Sequence, residues 1–198
     1  MKLKPHPLYA RVVALLRTKP LRYRKWSGLG FRSVTLEYAG PEKLLDGKGS
    51  LRHGARWTPP GGFPSVSLSL DQRTSIAEAP RIAHYYGLRE EALRPRVLYA
   101  VDVRLQRVID LTSLPSRLRP LVSLAELLSE DWRKINDADH ESTGQGLARA
   151  FHDSGCEGLI VPSAASAPDK NLVVFNRCLL HGSSLEICGE DEAREYFQ

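Results

Sequence analysis

Cysteine is scarce in this chain: Cys156, Cys178 and Cys188 are the only three among 198 residues. Their odd number and the lack of any CxxC pair speak against a disulfide framework and a structural zinc site. Histidine forms neither an HExxH run nor a short HxH spacing, so no metal is expected. No apolar run approaches the roughly 20 residues that cross a bilayer. The stretch Val12 to Leu16 is closed by Arg17 and Lys19 with no small-residue cleavage site behind it, and reads as an amphipathic helix, not an export signal. These absences predict a cytoplasmic protein without membrane association, its thiols reduced and buried. A GxGxxG run at a strand–helix junction is also missing, which leaves a Rossmann oxidoreductase unsupported.

What is present describes a folded globular domain. Hydrophobic residues make up 42% and charged residues 26% of a chain long enough for one well-buried core and too short for two ordinary ones. Charge is unevenly spread. Residues 1–60 carry 13 Lys and Arg against 3 Asp and Glu, which leaves 15 against 20 for the remainder. Twenty of the 28 cations are arginine, whose planar fork grips phosphate at two points. The basic third is thus either a phosphate-attracting surface or a solvated face. Without a helix-turn-helix pattern or an aromatic stacking face, direct nucleic-acid binding is not expected.

Hydrophobic periodicity and punctuation order the chain. A helix is predicted from Leu8 to Arg17, then a strand from Phe31 to Tyr38. Gly40 to Gly62, dense in glycine, proline and charge, reads as a long functional loop. Ser65 to Leu70 alternates serine with Val66, Leu68 and Leu70, the period of a half-buried strand. Asp71 suits the N-cap of a helix that Pro80 interrupts and Gly87 stops. Strands are predicted at Arg96 to Leu105, Val108 to Leu111, Gly158 to Val161, Leu172 to Phe175 and, more weakly, Leu179 to Ile187. Helices follow Ser123, span Gly144 to Asp153 and close the chain from Asp191 to Phe197. Their irregular order predicts an α+β fold around a mixed, mostly antiparallel sheet.

Three stretches could carry chemistry. Arg56 stands in the loop Gly54-Ala55-Arg56-Trp57-Thr58-Pro59-Pro60-Gly61, where a stiffened backbone can present a guanidinium while Trp57 anchors the core. Glu78 lies 22 residues on, among the small residues of the helix after the serine strand. Ser163 ends the apolar strand Gly158 to Val161. Each alone passes for a surface arginine, a solvated helix acid or a turn serine.

Taken in order, these pieces resemble the RES domain family, named for its Arg, Glu and Ser. Further matching stretches are Phe31-Arg32-Ser33-Val34, Gly47-Lys48-Gly49-Ser50, Gly144-Gln145-Gly146 and Asn171 to Asn176. The resemblance covers residue 31 to about residue 180. It implies a catalytic unit over 31–198 with residues 1–30 as a helical extension, all in one compact domain similar in fold to the ADP-ribosyltransferase toxins. It implies a toxin of a bacterial toxin–antitoxin pair, partnered by an Xre-like helix-turn-helix antitoxin, that degrades NAD⁺ as substrate and needs no cofactor. The alternatives are transfer of ADP-ribose to a protein and a non-catalytic binding module of the same fold. A homodimer is compatible with either.

The site implied by this resemblance has Glu78 and Arg56 facing a dinucleotide in one cleft, with Ser163 beside them. Cleaving the nicotinamide–ribose bond builds positive charge on the sugar, and the leaving group departs neutral without a general acid. One carboxylate then suffices to stabilise the cation and hold a hydroxyl or nucleophile, the role expected of Glu78. Arg56 and Arg32 are expected on the pyrophosphate, Tyr38 on a ring, and Asn176 and Ser163 on polar groups of the substrate. Two positions depart from the family pattern. Thr58 stands where Asn is common after the Arg-Trp pair. Ser67 stands where a Tyr usually faces the nicotinamide side; it can hydrogen-bond but cannot stack.

Overall fold

A computed structural model describes the chain apart from residues 1, 2, 20, 86, 88, 90–93, 165–167 and 192–198. The predicted helix over Asp191 to Phe197 therefore lies, beyond its first residue, outside the described residues. Helix α1 (Pro7–Thr18) starts with proline in its first turn behind His6, whose ring nitrogen accepts from the Leu8 amide at 3.2 Å. Strand β1 (Arg24–Thr35) begins well before the predicted Phe31 and ends in a 3-10 turn over Leu36–Tyr38. The expected long loop holds two short helices, α2 (Pro41–Leu44) and α3 (Lys48–His53). Gly54, at φ 74°, ends α3 in the left-handed region, and a Cβ there would lie 2.9 Å from Pro60.

Strand β2 (Ser65–Ser69) leads into α4 (Gln72–Tyr85), whose first free amides at Arg73 and Thr74 donate to the Asp71 carboxylate as the N-cap signal predicts. The two strands expected on either side of Gln106 are one, β3 (Arg96–Asp110). Helices α5 (Leu124–Ser129), α6 (Trp132–Asp137) and α7 (Thr143–Asp153) follow, then strands β4 (Gly158–Pro162), β5 (Lys170–Phe175) and β6 (Ser184–Ile187).

The six strands of the described chain run in the order β1-β2-β5-β4-β3-β6, with β1 also paired to β3 along nearly its whole length. Only β3 and β4 pair in parallel, so the sheet is mostly antiparallel, as expected. The circuit β1-β2-β5-β4-β3 closes on itself through the single register pair Phe31 with Ser69. Inside it lie Val66, Leu68, Val101, Val103, Ile160 and Val174. Alternate residues of the same strands, Leu159, Val161, Val173 and Phe175, face outward into a second core with α1 and α7. Leu8 and Val12 are buried there, so α1 packs within the main body of the domain.

Candidate active site

Alternation along β2 decides the site. Val66 and Leu68 fill the inner core, which turns Ser65, Ser67 and Ser69 to the opposite face. That face forms one wall of a cleft of about 290 Å³, closed by the end of β1, by Gly49 and Ser50 of α3 and by Ser75 of α4. Arg32 and Arg96 are its charged lining among the described residues, and no carboxylate joins them. A second cavity of about 620 Å³ adjoins it and shares Ser33 and Arg96; Ile76, Leu98 and Pro95 give it an apolar wall.

Arg32 is poorly neutralised for an arginine so enclosed. Its Nη1 donates to the Ser67 carbonyl at 3.4 Å, and its buried Nε has no partner. Burial lowers its pKa below the ordinary arginine value, with Asp46 opposing the shift. A half-buried cation with a buried donor to spare is suited to an anion. Ser67 lies open to the same cleft, so the structure brings these two expected residues together.

Glu78 belongs to α4, one turn beyond Thr74 and Ser75; its side chain lies outside the described residues. The helix is fastened at that turn. The Thr74 hydroxyl donates to the Asp169 carboxylate at 2.5 Å, and the Ser163 amide donates to the Asp169 carbonyl at 2.8 Å. Ser163 is buried at the end of β4 and stands outside both cavity walls. Its backbone ties the strand end to the turn that precedes Glu78.

Arg56 also stands outside those walls. Its Nη1 donates to the carbonyls of Leu127, Leu128 and Glu130 at 3.0, 3.3 and 3.2 Å, which satisfies the C-terminal end of α5. Burial lowers its pKa, assisted by Arg133 and opposed by Glu130 and Asp131. The Nε and Nη2 edge has no hydrogen-bond partner among the described residues. Tyr38 is 56% exposed on the 3-10 turn after β1 and borders neither cavity. Asn176 holds the Leu45 carbonyl at 2.6 Å through Nδ2 and likewise lies off the cleft lining.

Several determinants escaped sequence reasoning. Gln145, quoted only as part of a matching stretch, is fully buried and clamps the Arg56 turn. Its Nε2 donates to the carbonyls of Ala55 and Thr58 at 2.9 and 3.3 Å and to Asn136, while its Oε1 accepts from the Ser142 amide. Gly144 lets α7 approach that turn: a Cβ would sit 3.0 Å from the Arg56 carbonyl. Thr58, the departure after Trp57, is buried with its hydroxyl 2.5 Å from that of Ser65. Arg96 went unmarked because a cation at the start of a strand carries no local signal of a cleft. Among the described residues no cluster of three or more His, Cys, Asp or Glu could hold a metal.

Comparison with known proteins agrees with this architecture. The NAD(+) phosphorylase MbcT, from both Mycobacterium bovis and Mycobacterium tuberculosis, is 27% identical over 143 residues, which is 71% of this chain and 69% of the relative. In the crystal structure of the M. tuberculosis MbcT-MbcA toxin–antitoxin complex, one chain matches 96% of this fold with a TM-score of 0.67 at 19% identity, over 98% of its own length. The RES domain model matches residues 31–189, most of the chain and the whole of the cleft described above, and the chain belongs to the RES domain family.

Proposed function

We propose that this chain is the NAD⁺-degrading toxin of a bacterial toxin–antitoxin pair, cleaving the bond between nicotinamide and ribose. The observation that carries the reading is Arg32, a half-buried cation whose buried Nε has no partner, in a serine-walled cleft whose described lining holds no acid. Family membership and the named activity of the relative at 27% identity support the same chemistry. Arg32 holds the pyrophosphate by charge-assisted hydrogen bonds, and Ser67 donates to a ribose or amide oxygen. Arg56, fixed at Nη1, offers its remaining edge to the substrate or stiffens the loop that does. Tyr38 is an outer contact of a ligand longer than the cleft, Ser163 steadies the strand end through Asp169 behind α4, and Asn176 steadies the Leu45 turn. Residues 31–198 carry the catalytic residues, and residues 1–30 extend that unit with α1 and the first half of β1.

Glu78 supplies the negative charge the transition state needs. As the C–N bond lengthens, its electron pair passes to the nicotinamide ring nitrogen, which leaves neutral. The oxocarbenium-like sugar is stabilised by the carboxylate and captured by an oxygen nucleophile: phosphate gives a phosphorylated ADP-ribose, water gives ADP-ribose. The named activity of the relative favours phosphate. Such an enzyme in the cytoplasm needs a tight inhibitor, and an Xre-like helix-turn-helix antitoxin fits that role; a homodimer is compatible with it.

We predict that the purified protein releases nicotinamide from NAD⁺ and that Glu78→Ala lowers the rate by about 100-fold or more, with its melting transition retained. Mass spectrometry separates the products: a sugar phosphate marks phosphorolysis, free ADP-ribose hydrolysis, and an adduct on a protein ADP-ribosyl transfer. A folded wild-type protein that leaves NAD⁺ intact in water, with phosphate and with protein acceptors present refutes the reading.

A further inference from the structure

Arg96 is the charged residue shared by the two cavities. Its Nε donates to the Ser33 hydroxyl at 2.9 Å and its Nη2 to the Ser33 carbonyl at 2.6 Å, which locks the guanidinium plane against β1. The remaining nitrogen, Nη1, has no partner among the described residues. Burial lowers the pKa of Arg96, and no charged neighbour among the described residues contributes to that shift. Arg94, two residues earlier, is exposed, lines the larger cavity and makes no ion pair among the described residues. Two guanidiniums thus border a cavity of about 620 Å³ whose other walls, among the described residues, are Ile76, Leu98, Pro95 and Ser33. None of these walls is acidic, and Ile76 leaves a large apolar surface open, 55% exposed.

We propose that Arg96, with Arg94 and Ser33, forms a second phosphoryl-group site beside the Arg32 cleft, distinct from the position of the pyrophosphate. A rigid fork with a free nitrogen, a second, exposed guanidinium and a hydroxyl together suit a phosphate dianion, which offers acceptors in several directions. The apolar wall would receive whatever the phosphate is attached to, or stay solvent-lined beside the free ion. The dianion therefore has two sources. It is inorganic phosphate entering as the nucleophile, or the phosphate monoester on the ribose of a phosphorylated dinucleotide such as NADP⁺. Only the identity of this owner rests on the proposed NAD⁺ chemistry; the anion site stands on geometry.

Inorganic phosphate is the probe, titrated at constant ionic strength against chloride and followed by calorimetry, with Arg96→Gln, Arg94→Gln and Arg96→Lys beside the wild type. Saturable phosphate binding is expected in the wild type. Losing a charged hydrogen bond should weaken it about 10-fold or more in Arg96→Gln, with partial recovery in Arg96→Lys. Arg94 is exposed, so Arg94→Gln gives the same test if Arg96→Gln does not fold. Absence of saturable binding in the wild type, or unchanged affinity in both glutamine variants, overturns the site. Steady-state cleavage then names the source: Arg96→Gln raises the phosphate concentration needed for half-maximal rate on NAD⁺, or it removes a preference for NADP⁺ over NAD⁺. Loss of phosphate binding with both quantities unmoved overturns a place in the reaction. If neither dinucleotide is cleaved while phosphate still binds through Arg96, the functional reading fails and the anion site survives.

Discussion

Arg32 hangs on one long hydrogen bond while Arg56 is gripped by three carbonyls, and this difference sets what each substitution does. Arg56→Ala strips the α5 carbonyls of their donor and should lower unfolding free energy by about 1–3 kcal/mol in urea titration. Arg32→Gln removes a half-buried cation with no acid in contact among the described residues, so stability should hold or rise slightly, while NAD⁺ affinity falls about 10-fold or more. Equal stability loss in both variants would contradict this division of labour. Ser67 and its neighbours on β2 were legible because strict serine–apolar alternation assigns one face to the core and the other to the cleft. The grip on Arg56 was not. Its acceptors lie 71 to 74 residues away, and nothing local in Gly54 to Gly61 announces them.

At the scale of elements, the site is assembled by ties between segments remote in sequence. Ser142 and Gln145 form a capping box at the start of α7, and the same Gln145 reaches the Arg56 turn. We predict that Gln145→Leu, which removes the side-chain donor shared by the Ala55 and Thr58 carbonyls, reduces catalysis more than Ser142→Ala, whose lost cap is worth about 1 kcal/mol. Rates and denaturation midpoints on the two variants check the order. Thr74 acts through α4: Thr74→Val should lower kcat on NAD⁺, with recovery in Thr74→Ser, since the serine keeps the hydroxyl that meets Asp169. The division of β3 into two predicted strands had a physical source. Gln106 and Arg107 are polar and look like a turn, yet both amides donate to the buried Glu157 carboxylate, at 2.7 and 2.6 Å, and the strand runs on. Helix α6 and the short helices α2 and α3 have too few turns to show an apolar period.

For the whole molecule, the closed circuit of strands leaves an inner core and an outer one, and α1 seals the outer. The α+β class was legible from the irregular order of helical and strand periods. Closure was not, because it depends on β1 pairing with two strands distant in sequence. Glu157 links the halves of this body. Burial pushes its carboxyl up, but hydrogen bonds from the Leu180, Arg107 and Gln106 amides outweigh that and hold its pKa below the ordinary carboxylate value. Its stabilisation is therefore complete above the unfolded-chain value of about 4.3 and is lost as pH falls through the lower folded value. Acid titration of the wild type against Glu157→Gln should show a lower plateau and a shallower acid limb in the variant. Burial also raises the thiol of Cys156 to about 12 and that of Cys178 to about 11, so alkylation of the folded protein at pH 8 should mark the exposed Cys188 first. The proposed function stands on NAD⁺ binding in this cleft and on Glu78 acting at its transition state. Its most direct test is to measure the NAD⁺ dissociation constant and kcat together for wild type and Glu78→Gln. The account predicts a kcat lower by about 100-fold or more with binding within about 3-fold of wild type. A folded Glu78→Gln protein that turns NAD⁺ over at the wild-type rate would contradict it.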